Sequence, residues 1–192
     1  MKISYIREKK DTHLLCLGID GAGESARFTV SRSVYAAVGR PAVGEELTDQ
    51  AYAELSYADG LYRAEKKALS LLSFADNNER TLYAKLLRAG FDKDIARDVC
   101  EKMVSLGYID ERRQLERLIT REAERSLCGR QKIYEKLRAK GYDSRLIREV
   151  TEGLISRGEL DFEENREKLL SSLPEDASEE EIKKTLYKHG YR

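Results

Sequence analysis

The sequence predicts a mainly α fold: tandem three-helix repeats forming an elongated, curved array, preceded by a small N-terminal β-rich segment. Three observations predict it. From about residue 61 apolar residues recur at three and four positions rather than two, and no proline appears until Pro174. The phrase "KLLRAGFDKD" at 85–94 returns as "KLRAKGYDSR" at 136–145, with Lys, Leu, Gly, an aromatic and Asp at the same relative positions. The first fifty residues follow another grammar, in which short apolar and β-branched segments are separated by turn signals.

The strand candidates come first: "KISYIREKK", "HLLCLGID" and "ARFTVSRS". Between the last two lies "DGAGE", where Asp20 and Gly21 suit the positive φ angles of a tight hairpin. A phosphate loop would need the full glycine spacing, a Lys and a following helix, all absent, so nucleotide binding is not supported. Pro41 and Gly44 then punctuate the chain, and Thr48 or Asp49 can cap a helix carrying Tyr52 and Leu55 on one side. In "LYRAEKKALSLLSFA", Leu61, Ala64, Ala68, Leu71 and Leu72 form one stripe. Asn78 stands where an N-cap belongs, and the helix it opens buries Leu82, Leu86 and Tyr83 before Gly90 ends it in a left-handed cap. Asp92 caps the next helix, which projects Ile95, Val99 and Met103, with Leu106 close by, and ends at Gly107. "YIDERRQLERLITREAERSLCG" makes a third, with Leu115, Leu118 and Ile119 inward.

Adding 51, the step from Gly90 to Gly141, reproduces the plan. Leu82 maps to Ile133, Leu86 to Leu137, Phe91 to Tyr142, Asp92 to Asp143, Ile95 to Leu146, Val99 to Val150, Met103 to Leu154 and Gly107 to Gly158. Unrelated helices share a period but not caps and stops, so matching punctuation marks a tandem repeat. Ile182, Leu186, Gly190 and Tyr191 begin a third copy, 49 residues on, cut after its first helix. The expected organisation is therefore a β-rich segment at 1–50, a helical linker at 51–77, repeats at 78–127 and 128–173, and a truncated repeat at 174–192.

Composition narrows the function. Lys plus Arg and Asp plus Glu number 35 each, so attraction to a polyanion has to come from a local patch. Cys16, Cys100 and Cys128, odd in number and without a CxxC pair, suit reduced thiols in a cytosol. No apolar run approaches the ~20 residues of a membrane span, and "MKISYIREKK" lacks a signal-peptide core, so a cytoplasmic protein is expected. His13 and His189 are the two histidines, and neither a zinc-protease motif nor a nucleophile elbow is present. No catalytic, metal or cofactor residue is assigned.

The patch lies at 112–148, where twelve Lys or Arg face five Asp or Glu, a local excess of seven. Arg113, Arg117, Arg121 and Arg125 follow one another at i+4 on the side of their helix away from Leu115 and Ile119, while Lys132, Lys136 and Lys140 repeat that spacing on the next helix, where Arg130 also falls. Arginine forks take carboxylates and phosphates bidentately and lysines add longer-range attraction, so these ridges suit an acidic protein groove or a nucleic-acid backbone. Glu116, Glu122, Glu124 and Glu135 partly neutralise them, and a solvated helix face accounts for the same run. Tyr134 and Tyr142 sit at packing positions, which weakens the case for base stacking.

The ordered series "ALSLLS", "ERTLYAKLLRAGF", "LGYIDERR", a long third helix and "GRQKIYEKLRAKGY" resembles the RecX family, small regulators of the RecA recombinase, over roughly residues 60–170. The resemblance implies a curved array of three-helix repeats that binds in the groove of RecA filaments, modulates and usually inhibits their assembly and activity, and has no catalysis of its own. The chain departs from the family pattern in three places: "ADNN" at 75–78 replaces an arginine-rich segment, Gln114 and Leu115 replace Phe and Ala, and Gly129 is followed by Arg130 rather than Pro. The expected partner is thus the RecA filament, bound by a monomer, with single- or double-stranded DNA as a further partner. A directly DNA-binding repeat protein built of helix-turn-helix-like units is the alternative; it lacks a cluster of base-reading side chains at one helix start.

Overall fold

A computed structural model describes residues 1–10, 12–21 and 24–191. Strands β1 (Lys2–Glu8), β2 (Leu14–Gly21) and β3 (Glu24–Ser31) form an antiparallel sheet in the order β1-β2-β3. Helices α1 (Arg32–Ala37), α2 (Asp49–Phe74), α3 (Glu79–Arg88), α4 (Lys93–Ser105), α5 (Glu111–Ser126), α6 (Arg130–Ala139), α7 (Ser144–Ser156), α8 (Phe162–Ser171) and α9 (Glu179–His189) follow. The fold is mainly α with a small N-terminal sheet, as the periodicity predicts.

The residues divide into two compact units, Met1–Ala75 with Leu82–Ser105, and Asp76–Thr81 with Leu106–Arg192. In the first, alternation along β2 turns Leu15, Leu17 and Ile19 to one face, where they pack with Ile3, Phe28, Val30 and Leu55 of α2. The Thr48 hydroxyl caps α2 by accepting from the Ala51 N–H. Gly60 brings α2 close to α4, since a Cβ there would collide with Ile95 Cδ1.

Three local expectations are corrected. Asp20 and Gly21 are not the hairpin turn: they pair in the sheet with Ser25 and Glu24, and the residues between, Ala22 and Gly23, lie outside the described residues. A short helix, α1, follows β3 directly because the Ser31 hydroxyl accepts from the Val34 N–H and starts a turn within a run that reads as β. Leu106 is 58% exposed rather than part of the α4 stripe. Two further positions sit at the margin of the core: Tyr83 and Leu118 are half-buried.

In the second unit Leu115, Ile119, Ala123, Ile133, Leu137, Ile147, Val150 and Leu154 form the core. The punctuation at Asn78, Asp143 and the helix-ending glycines is that expected. Asn78 Oδ1 accepts from the Thr81 N–H, and Asp143 Oδ1 accepts from the N–H groups of Arg145 and Leu146. Gly90, Gly141 and Gly190 end the first helices with φ of +87°, +91° and +84°, and Gly107 and Gly158 follow the second helices with +75° and +70°. One contact between successive first helices also recurs. Asn78 Nδ2 donates to the Lys140 carbonyl at 2.9 Å, and the Gly129 N–H donates to the His189 carbonyl at 2.8 Å. Asn78 and Gly129 are 51 apart and Lys140 and His189 are 49 apart, so a side-chain amide in one place is replaced by a backbone amide in the other. The second joint is the tighter: a Cβ on Gly129 would lie 2.7 Å from the Gly190 carbonyl oxygen.

Candidate partner-binding surface

The α5 face opposite Leu115 and Ile119 carries Arg113, Arg117, Arg121 and Arg125, all exposed. The helix forms because Asp110 caps it, its carboxylate accepting from the Arg113 N–H, and its i, i+3 and i+4 apolar residues are drawn into the core. Arg117 pairs with Asp76 at 2.9 Å and Arg121 approaches Glu122 at 3.7 Å, whereas Arg113 and Arg125 enter no ion pair among the described residues.

The α6 cations are distributed differently. Lys136 Nζ lies 2.6 Å from Glu122 Oε2 and 3.4 Å from Cys128 Sγ. Glu122, only 17% exposed at its side chain, is held below the usual carboxylate range by the Lys136 hydrogen bond, with Lys136, Lys140 and Arg121 adding attraction. Lys136 is raised in return, chiefly by the same bond, against the opposing effect of burial. Arg121, Lys136 and Lys140 are thus gathered around one carboxylate. Arg130 and Lys132 are placed elsewhere, Arg130 pairing with Glu152 at 2.8 Å and the Lys132 backbone lying against the Gly190 turn.

Sequence reasoning missed three residues in this region. Gln114 is buried and bridges the unit, donating through Nε2 to the Asn77 carbonyl at 3.2 Å and accepting from the Tyr142 hydroxyl at 2.9 Å. Arg148 lies 5.6 Å from the centroid of the Tyr134 ring, with Arg138 at 5.8 Å from the same ring. Tyr134 is therefore half-buried against the core and engaged with cations rather than offered for stacking. The periodicity that places Tyr134 next to the core is the signal that could have pointed to Arg138, four residues on.

Among the described residues no group of three or more His, Cys, Asp or Glu is arranged to hold a metal ion, and no helix is long and apolar enough to cross a membrane. Among the described residues Cys16, Cys100 and Cys128 form no disulfide.

The arrangement defines a class: a protein whose chain runs from a three-stranded sheet into a series of successive helices, with a row of exposed arginines on α5. Compared with known proteins, the chain matches no family model. It is similar to the regulatory protein RecX of Clostridioides difficile (strain 630), with 25% identity over 111 residues, and spans about half the length of that relative: 58% of this chain and 52% of the other. In fold it matches a crystal structure of regulatory protein RecX with a TM-score of 0.71 and 23% identity, covering 100% of this chain and 94% of the other. A crystal structure of RecX from Lactobacillus salivarius matches with a TM-score of 0.59 and 20% identity over 70% of this chain and 90% of that one. The resemblance to the RecX family read from the sequence is borne out, and the fold is that of RecX structures.

Proposed function

We propose that the chain is a non-enzymatic, cytoplasmic regulator of the RecA recombinase that binds as a monomer in the groove of RecA filaments. The observation that carries the reading is the exposed arginine row on α5, in which Arg113 and Arg125 have no carboxylate partner among the described residues. The likeness to RecX regulatory proteins supports the choice of partner. In this reading the repeats at 78–127 and 128–173 lie along the groove, bridge neighbouring protomers and oppose the changes that accompany ATP hydrolysis. Arg113, Arg117, Arg121 and Arg125, with Lys136 and Lys140 beside Glu122, face acidic groups of the filament; Arg130 and Lys132 contribute from the start of α6. Arginine suits this role because its fork meets carboxylates bidentately.

The test is the ATPase rate of the host RecA on single-stranded DNA, titrated with this chain well below one copy per RecA, with filament length followed by light scattering. The expected result is a fall in both. No change in either, together with binding to bare DNA that drops by roughly a thousandfold between low and moderate salt, overturns the reading in favour of direct phosphate contacts.

A further inference from the structure

A second feature of the helical unit lies outside the α5 row. Between α6 and α7, next to the Gly190 turn, is an open cavity of about 440 Å³, within the roughly 300–1,000 Å³ range of ligand sites. Ile147 and Thr151 are among its lining residues, Tyr134 contributes its ring, and Arg130, Arg148 and Glu152 bring the charges. The Thr151 hydroxyl is turned back onto the Ile147 carbonyl at 2.7 Å, which leaves its polar atom engaged within the helix.

We propose that this cavity is a socket for an apolar anchor side chain carried on an acidic segment of a protein partner. The apolar lining sets the anchor, since a hydrophobic or aromatic side chain there gains by leaving water. Charge complementarity sets the flanks. Glu152 is already paired with Arg130 at 2.8 Å, whereas Arg148 and the neighbouring Arg138 form no ion pair among the described residues. The start of α6 adds to the same sign: Gly129 supplies no capping side chain and the first turn holds no acid, so nothing on the helix itself offsets its positive end. A nucleobase fits less well, because among the described residues Tyr134 is the single aromatic one lining the cavity and two guanidinium groups already lie near its ring.

The inference rests on the reading of the chain as a protein-binding regulator, but the experiment needs no RecA. Fluorescence anisotropy of the full chain is measured with a short, labelled peptide of Glu and Ser carrying one central Phe. Saturable binding is expected, weakened by about tenfold or more when the peptide Phe becomes Ala and when the protein carries Arg148→Glu. Gln131→Trp, at a half-buried rim position, is expected to obstruct the mouth without altering the core and to weaken binding similarly, with circular dichroism unchanged. The proposal is overturned by absence of peptide binding, by equal affinity of the Phe and Ala peptides, by affinity unaffected in both protein variants, or by a thymidine oligonucleotide that binds in place of the peptide and is weakened by the same variants. Peptide binding as expected with no effect on RecA ATPase keeps the socket and removes the RecA reading; an ATPase effect without peptide binding does the reverse.

Discussion

Glu122 shows how a single carboxylate organises the cations around it. Its pKa lies below the usual carboxylate value, so its contribution to stability is present above about pH 4.3 and is lost as pH falls through the lower folded value. Glu122→Gln is expected to lower stability by about 1 kcal/mol at neutral pH, with the difference from wild type vanishing in acid, as measured by urea unfolding at both pH values. Tyr142 and Tyr191 form a second contrast. Both are buried, and burial pushes both hydroxyls up to about 12. Tyr142 donates to Gln114, whereas the Tyr191 hydroxyl has no partner among the described residues. The position 51 after Gln114 is Asn165, buried and one methylene shorter. Tyr142→Phe is expected to cost about 1–3 kcal/mol by stranding the Gln114 carbonyl, and Tyr191→Phe to be neutral or stabilising in the same thermal or denaturant assay. Asn165→Gln is expected to raise stability by about 1 kcal/mol in wild type and not in the Tyr191→Phe background.

At the scale of elements, helix starts and stops were the most legible feature. Asn78 and Asp143 cap as their side-chain chemistry dictates, and Gly90, Gly107, Gly141, Gly158 and Gly190 adopt the left-handed φ that their positions after helices require. These are local events, decided within four residues. The short α1 was not legible, because its start depends on one Ser31 hydroxyl and its residues carry β propensity. The recurrent joint was not legible either. The Gly129 N–H to His189 carbonyl bond spans 60 residues, and only packing shows that it repeats the bond from Asn78 to Lys140. Gly129→Ala is expected to drive the Gly190 turn away, since the new methyl would meet its carbonyl at 2.7 Å. Hydrogen exchange should then show lost protection in α9 with α5 and α7 still protected.

For the whole molecule, zero net charge conceals an uneven distribution. Among the described residues Arg113 and Arg125 enter no ion pair while Arg117 and Lys136 do, which ranks their expected effects on a partner. If the chain inhibits RecA ATPase as proposed, reversing Arg113 and Arg125 together to Glu is expected to weaken that inhibition by at least about tenfold in half-effective concentration, with helical content unchanged. Lys132→Glu, at a position lying against the Gly190 turn, should have a smaller effect on the same titration. Equal effects of the two changes would remove the special place given to the α5 row.

The sequence by itself determined the class of fold, the glycine stops of the repeated helices and the repeat, since periodicity, caps and glycine stops act through neighbours along the chain. It also placed the arginine row on one face, because i+4 spacing is a property of the helix alone. Tertiary structure decided which cations are already engaged: Arg117 with Asp76, Lys136 with Glu122 and Arg130 with Glu152 join residues from 14 to 41 positions apart. It likewise decided the cavity beside Tyr134, whose walls come from two helices and a turn distant in sequence. Charge pairing and concavity depend on distances between elements, and a linear pattern carries no such distances.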